Sequence, residues 1–168
     1  NVGDGVSPQP VHRLDYPTTG LLLVGKTSSS IVALNQLFEK KLINKIYHSV
    51  TIGEMETKGR ISLPIDDKLS ISEFKVLQTV VSERFGYLNL VELFPRTGRR
   101  HQLRKHLAAI GNPILGDKDY GSLDLILKGK GLYLHASSLE FVHPFTNEIM
   151  TVQKELPKKF RKLFRISI

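Results

Sequence analysis

The chain contains no cysteine, which excludes disulfides, thiolate metal sites and a cysteine nucleophile but does not identify a compartment. It also lacks any apolar run approaching the ~20 residues that a membrane-spanning helix needs, and no charged-then-apolar leader stands at its start. The compartment stays open, with a soluble, monomeric, intracellular protein of the cytoplasm or an organelle as the expectation. No repeat, linker or low-complexity tract interrupts the 168 residues, a length that suits one ordinary core better than two. Negative charge is scarce: 24 Lys and Arg stand against 16 Asp and Glu, giving a formal charge of +8 and a pI near 9.7. That balance favours polyanionic partners without separating RNA from DNA or from an acidic membrane.

Two further gaps narrow the chemistry. The six histidines are dispersed, and there is no H-E-x-x-H. His101 and His106 share a predicted helix, but a spacing of five does not stack two ligands as three or four would. The stretch from Gly111 to Gly116 is no phosphate loop, because Pro113 removes a backbone donor and no Gly-Lys-Ser/Thr follows. Neither a metal nor a nucleotide cofactor is expected.

What the sequence does hold is a carboxylate in an unusual setting. In His12-Arg13-Leu14-Asp15-Tyr16-Pro17-Thr18-Thr19-Gly20-Leu21-Leu22-Leu23, Asp15 sits between a cation and a tight turn, just ahead of an apolar stretch. Pro17 fixes its own φ and restricts Tyr16. Thr18 and Thr19 can hydrogen-bond their own backbone, and Gly20 tolerates the turn into residues 21–24. A carboxylate is already anionic in neutral water, so one held rigidly at a strand end needs no base to act as a nucleophile. The bland alternative is an aspartate that caps a turn.

The remainder reads as alternating helices and strands. Residues 21–24 read as a buried strand, and Ser28, Ser29 and Ser30 offer N-caps for a helix carrying Ile31, Leu34, Leu37, Phe38 and Leu42. Residues 45–52 alternate as a strand, with Ile46, His48, Val50 and Ile52 on the apolar face and Tyr47, Ser49 and Thr51 on the other. Residues 74–81 and 87–94 flank a hairpin loop. A helix is predicted to begin near Arg100 and stop at Gly111, with Leu103, Leu107 and Ile110 on one face and His101, Arg104 and Lys105 on a neighbouring one. Residues 132–136 and 139–142 are strand-like, 149–152 pair back after a turn, and a basic helix over 156–165 carries Phe160, Leu163 and Phe164. The first ten residues read as a loop. The class is α+β, with a mixed, largely antiparallel sheet and flanking helices.

A second segment reinforces the first. Arg96-Thr97-Gly98-Arg99-Arg100-His101-Gln102-Leu103-Arg104-Lys105-His106-Leu107 leads into Gly111-Asn112-Pro113-Ile114-Leu115-Gly116-Asp117-Lys118-Asp119-Tyr120-Gly121. Together the two segments resemble the RluA-type RNA pseudouridine synthases, whose patterns are HRLDxxTSGLL and, later, TGRTHQLRxHLxxxGxPIxGDxxYG. Lys45-Ile46-Tyr47 matches the family's K-x-Y motif. Leu134-His135-Ala136 with Phe141-Val142-His143-Pro144-Phe145 matches its LHA…FxHPF stretch. Four motifs recur in order between about residue 11 and about residue 152. Departures are small: Thr19 for Ser, Arg100 for Thr, Asn112 for His and Ser49 for Ala. The upstream K-P-x-G motif has no counterpart, so residues 1–168 are read as a single pseudouridine synthase catalytic domain shortened at its N-terminus.

The resemblance implies a pseudouridine synthase catalytic fold with a central basic cleft, and a cofactor-free isomerisation of uridine to pseudouridine in structured RNA, whether ribosomal, transfer or messenger. It implies that Asp15 initiates glycosidic cleavage and that Arg104 pairs with it. A bidentate guanidinium would hold the carboxylate within about 2.7 to 3.2 Å. Tyr47 would stack on the extruded base and assist late proton removal, and Leu134 would be an apolar wall. Arg13 would contact RNA near the flipped nucleotide, and Arg96, Arg99, Arg100, Lys105 and Lys118 could hold phosphates around it. Lys158, Lys159, Arg161, Lys162 and Arg165 form a further basic patch, equally readable as a solvated face. The alternative functions are a noncatalytic RNA-binding module or inactive fragment of such an enzyme, and a metal-dependent phosphodiesterase.

Overall fold

Short extended pieces open the chain because proline and glycine punctuate it. In the computed structural model, which describes residues 4–125 and 129–165, β1 (Gln9–Pro10) pairs antiparallel with β3 (Val24–Gly25) as a small ribbon, while β2 (Thr19–Gly20) joins the main sheet. The segment read as a buried strand, 21–24, is therefore a bridge between ribbon and sheet. Alternation sends Leu22 and Val24 out to solvent, and Leu21 and Leu23 in against a helix.

That helix, α1 (Ser28–Glu39), is capped one residue earlier than the serine run indicates. Thr27 accepts from the Ser30 N–H at 3.1 Å and Ser30 Oγ accepts from the Thr27 N–H at 3.0 Å, a reciprocal capping box. Ile31, Leu34, Leu37 and Phe38 face the core, but the helix ends before Leu42, which is exposed.

The sheet is built from β4 (Asn44–Ile52), β5 (Lys58–Ile61), β6 (Ser72–Ser82), β7 (Gly86–Pro95), β8 (Leu134–Val142) and β9 (Ile149–Gln153) in the order β2-β8-β4-β7-β6-β5, with β9 also along β8. The β2–β8 contact is parallel and the rest of the ladder is antiparallel. The β6–β7 hairpin runs from Ser72 opposite Pro95 to Ser82 opposite Gly86, with one register shift between Val76 and Gln78. The two strands expected at 132–136 and 139–142 are one. Ser137 and Ser138 do not break it, because β4 covers one side of the strand and β9 the other.

Two more helices complete the layers. α2 (Gln102–Ala109) starts two residues later than expected, since His101 sits in the left-handed region at φ 55° and ψ 26°. Its Leu103 and Leu107 are buried, whereas Ile110 lies past its end and is exposed. α3 (Lys158–Phe164) buries Phe160 and Phe164. None of the helices described is long and apolar enough to cross a membrane.

Apolar packing forms two clusters. The larger joins the sheet to α2 and α3; the smaller gathers α1 with Val11, Ile43, Leu139 and Phe141. Val11, Phe38 and Ile43 of the smaller cluster and Leu103, Tyr47 and Leu134 of the larger face a common cleft, which opens where the two meet.

Candidate active site

The loop carrying Asp15 is fastened at both ends. Behind Asp15, His12 Nε2 accepts the Leu23 N–H at 2.9 Å, and its ring stacks on Phe38 with centroids 4.8 Å apart. Burial, with the charge of Lys45 adding to it, pushes the His12 pKa down to about 4. The imidazole is thus neutral, as an acceptor must be. Ahead of Asp15, the Tyr16–Pro17 bond is cis and the Thr18 N–H donates to the Asp15 carbonyl. Thr19 and Gly20 then run beside His135 and Ala136, with Thr19 Oγ1 2.8 Å from His135 Nδ1 and the Leu21 N–H 3.0 Å from the Ala136 carbonyl. Gly20 has φ +113°, and a Cβ there would overlap the Ala136 carbonyl. Glycine lets the loop come flush against β8, and so fixes how far Asp15 reaches over the sheet.

The second motif is mostly framework. The Gln102 side chain ties the loop before α2 to β6: its Oε1 accepts from Thr97 Oγ1 at 2.6 Å and from the Arg99 N–H at 3.1 Å, and its Nε2 donates to the Ile71 carbonyl and Ser72 Oγ, both at 2.9 Å. His106 is bound on both ring nitrogens, to Ser72 Oγ and the Leu63 carbonyl, each at 2.8 Å.

Arg104 overturns one expectation. It does not pair with Asp15. The guanidinium is buried, 3% exposed, and its Nε and Nη2 donate to the Asp117 carboxylate at 2.9 and 2.7 Å, with a further bond from Nη2 to Asp119 at 2.8 Å. Asp117 also accepts the backbone N–H groups of Asp119 and Tyr120 at 3.1 Å. Burial works against the Asp117 charge, but Arg104 and those N–H groups outweigh it and lower its pKa. The local geometry explains the choice. Gly116 and Gly121 pass so close to the Gly131 and Asp117 carbonyls that a Cβ would overlap them, folding 116–121 into a tight loop directly over Arg104.

The two motifs still meet, through residues that spacing alone did not single out. The Arg104 guanidinium lies 4.9 Å from the centre of the Tyr120 ring, the Tyr120 hydroxyl is 2.7 Å from His101 Nδ1, and His101 Nε2 is 3.8 Å from Asp15 Oδ1. A left-handed residue at the mouth of α2 aims that imidazole at Asp15.

A cleft of about 540 Å3 encloses Asp15, lined also by Arg13, Tyr47, Leu134, Arg96 and Arg99 from the expected set, and by Lys45 and Thr18. Arg100 and Lys105 are not part of its lining, nor is Arg104. Arg99 donates from Nε and Nη2 to the Leu69 carbonyl at 3.2 and 3.1 Å, which orients it and leaves its charge intact. Arg96 is instead spoken for by Glu73, at 2.8 Å. Burial lowers the Lys45 pKa. Tyr47 packs on the larger core cluster although alternation sets it opposite the apolar face of β4, because both faces of the strand are covered: Ser49 and Thr51 on its own side are as buried as Val50 and Ile52. Burial, then the Asp15 charge, pushes the Tyr47 pKa up to about 12. Its hydroxyl is therefore protonated at neutral pH. The Thr18 hydroxyl is buried in the cleft wall without a protein partner. Among the described residues, no three His, Cys, Asp or Glu side chains gather closely enough to hold a metal.

Fold and cleft together define an α+β domain whose cleft sets the Asp15 carboxylate and the Tyr47 ring among Arg13, Lys45 and Arg99. The sequence model of the RNA pseudouridylate synthase family matches residues 3–109. The ribosomal large subunit pseudouridine synthase C of Rickettsia bellii is 36% identical over 91% of this chain and 55% of its own length. The tRNA pseudouridine synthase C of Haemophilus influenzae is 34% identical over 92% and 76%. Among solved structures, human RNA pseudouridylate synthase domain containing 1 superposes with a TM-score of 0.80 at 26% identity, covering 90% of this chain and 70% of that one. The chain belongs to the RNA pseudouridine synthase family, in its RluA-type branch. It spans little more than half, 55% and 57%, of two of the curated relatives it matches.

Proposed function

We propose that residues 1–168 form the catalytic domain of an RNA pseudouridine synthase, acting on a uridine extruded from folded RNA into the Asp15 cleft. The N1–C1′ bond of the nucleotide breaks, the uracil turns within the cleft, C5 bonds to C1′, the C5 proton leaves and N1 is protonated. The result is an isomer, so the reaction needs no redox partner and no cofactor. Asp15 initiates the cleavage, Leu134 walls the pocket, and Tyr47 offers its ring as a stacking surface. With its pKa pushed up to about 12, Tyr47 presents a protonated hydroxyl to the cleft at neutral pH. Arg13 and Arg99, which line the same cleft, hold phosphates flanking the extruded nucleotide.

The single observation that carries the reading is the convergence of Asp15, Tyr47 and Leu134, from three separate motifs, on one cleft rimmed by arginines. Sequencing-based pseudouridine mapping of total RNA with and without the protein tests it. Asp15→Asn should reduce pseudouridine formation to background while leaving the fold and RNA affinity nearly intact, because the side chain keeps its shape and loses its charge. Full turnover by Asp15→Asn would reject the aspartate, and RNA binding by the wild type without any new pseudouridine would reject the enzyme.

A further inference from the structure

The alternation of β8 separates two surfaces of the molecule. Leu134 and the residue before it, Tyr133, lie on extended backbone, Tyr133 being hydrogen-bonded to Val50 on one side and Leu115 on the other at 3.1 and 3.0 Å. Successive side chains on such backbone point to opposite faces. Leu134 lines the Asp15 cleft; Tyr133 lines a second groove, of about 600 Å3, beside α3.

The walls of this groove carry Lys130, Lys158, Lys159 and Lys162 with Phe85 and Tyr133, and among the described residues no acidic side chain lines it. Lys158 and Lys162 are four apart on α3 and both are exposed, so they stand one above the other along the rim. Phe160 and Phe164, fully packed beneath, hold the helix in that rotation. On the other side of α3 the charge is balanced, since Arg161 lies 3.9 Å from Glu155. Lys159 is folded onto the floor. Its ammonium donates to the Leu132 and Lys130 carbonyls at 2.9 and 3.2 Å and lies 4.3 Å from the centre of the Tyr133 ring. An ammonium has three donors, and these carbonyls take two. They do not neutralise it, and burial lowers its pKa. The groove is therefore a set of cations, one of them desolvated, without an anion.

We propose that this groove is a second RNA-binding surface, holding the phosphodiester backbone of RNA that continues past the modified nucleotide and around the edge of the sheet. The proposal rests on the reading of the chain as an RNA-modifying domain. It assigns the substrate a size: RNA long enough to reach both faces is gripped twice, and a short stem or strand only once. Contacts of this kind are sequence-independent and position the RNA, leaving the choice of uridine to the cleft.

The test uses the full chain, a triple variant Lys130→Gln, Lys158→Gln, Lys162→Gln at exposed positions, and two labelled oligouridylates, one of about eight nucleotides, enough to fill a single site, and one of about forty. For the longer strand the triple variant should bind on the order of tenfold more weakly, and its plot of log affinity against log salt should flatten by about 2, three single-strand contacts at ~0.7 each. Binding of the shorter strand should be unchanged. Unchanged affinity and slope for the longer strand, with the wild type binding both, would overturn the groove and leave the catalytic reading standing. Equal weakening for both strands would also overturn it, as an effect of general charge on the cleft. A wild type that binds neither strand would sink the RNA reading itself. If equal-part phosphatidylcholine and phosphatidylserine vesicles capture the wild type and not the variant while both bind the longer strand alike, the surface serves a membrane and the proposal fails.

Discussion

At the scale of single residues, the consequential finding is that Asp15 is faced by His101 and not by Arg104. Resemblance pairs Arg104 with Asp15, and a motif alone does not say which carboxylate is taken. Asp117 lies 13 residues away on a loop that two close-packed glycines fold back over the helix, so the bidentate partner is the local one. What Arg104 does for Asp15 it does at a distance, by backing the Tyr120 ring whose hydroxyl bonds His101. The backbone of His101 supports a functional reading, since a non-glycine residue in the left-handed region stores on the order of 1 kcal/mol and persists where the surroundings demand it. Replacing His101 by glycine keeps that conformation and removes the imidazole. In single-turnover assays at saturating RNA, His101→Gly should slow pseudouridine formation by roughly ten- to a hundredfold with RNA affinity unchanged, an orientation effect on the reacting group. Tyr120→Phe should slow it less, because the ring and its cation remain. Wild-type rates in His101→Gly would assign the histidine to the fold alone.

At the scale of elements, most strands and helices were legible, and the failures share a cause. The inward face of α1 follows from period, because one side of the helix is wet and the other packed, whereas the β6–β7 hairpin follows from two strand-like runs around a turn, since residues 88–91 of β7 are covered on both sides. β8 was read as two pieces because serines at 137 and 138 suggest a break, yet a strand paired on both sides tolerates small polar residues whose groups find partners. Ser137 Oγ is 2.6 Å from His48 Nδ1. Similarly, the motif side chains Gln102 and His106 invite a chemical role by position, and they turn out to be buried rivets with every polar atom engaged. The Asp117–Arg104 clamp belongs to the same class. Asp117→Leu leaves a buried guanidinium with only the exposed Asp119 and should cost about 3 kcal/mol in urea unfolding. Adding Arg104→Met to it should recover part of that loss, since an apolar pair in place of a buried ion pair is often nearly neutral. Recovery would be incomplete, as Asp117 also holds the Asp119 and Tyr120 amides. A double variant less stable than Asp117→Leu would show that the guanidinium is held by more than its carboxylates.

At the scale of the whole molecule, the two apolar clusters meet across the cleft, where His12 stands. His48 and His135, next to Tyr47 and Leu134 on strands whose side chains alternate, point to the other face of the sheet. His12 anchors the Asp15 loop to α1, His48 lies in β4 and His135 in β8 beside β2. Burial lowers the pKa of all three, that of His12 from 6.5 to about 4 with Lys45 as the nearby cation. The sign follows from proton counting. For His12 the window runs from pH 6.5 to about 4: the unfolded chain protonates the ring and the folded chain resists, so the unfolded state binds more protons and stability rises with pH, and His48 and His135 act in the same direction. Their contribution is complete above pH 6.5 and falls away below it, ahead of that of the Asp117 carboxylate, which begins to be lost only as the pH enters the ordinary carboxylate range and the unfolded chain takes up that proton. The wild type should therefore unfold at lower urea concentration at pH 5 than at pH 7. In His12→Asn, whose amide cannot titrate but can still accept the Leu23 N–H, the drop between those two pH values should be smaller. The loop bearing Asp15 is the part that His12 pins, so in the wild type activity should fail on acidification before the β6–β7 hairpin melts. Hydrogen exchange at pH 5 that exposes the amides of residues 19–25 before those of 86–95 would bear this out, and simultaneous exposure would mean that the two clusters unfold as one.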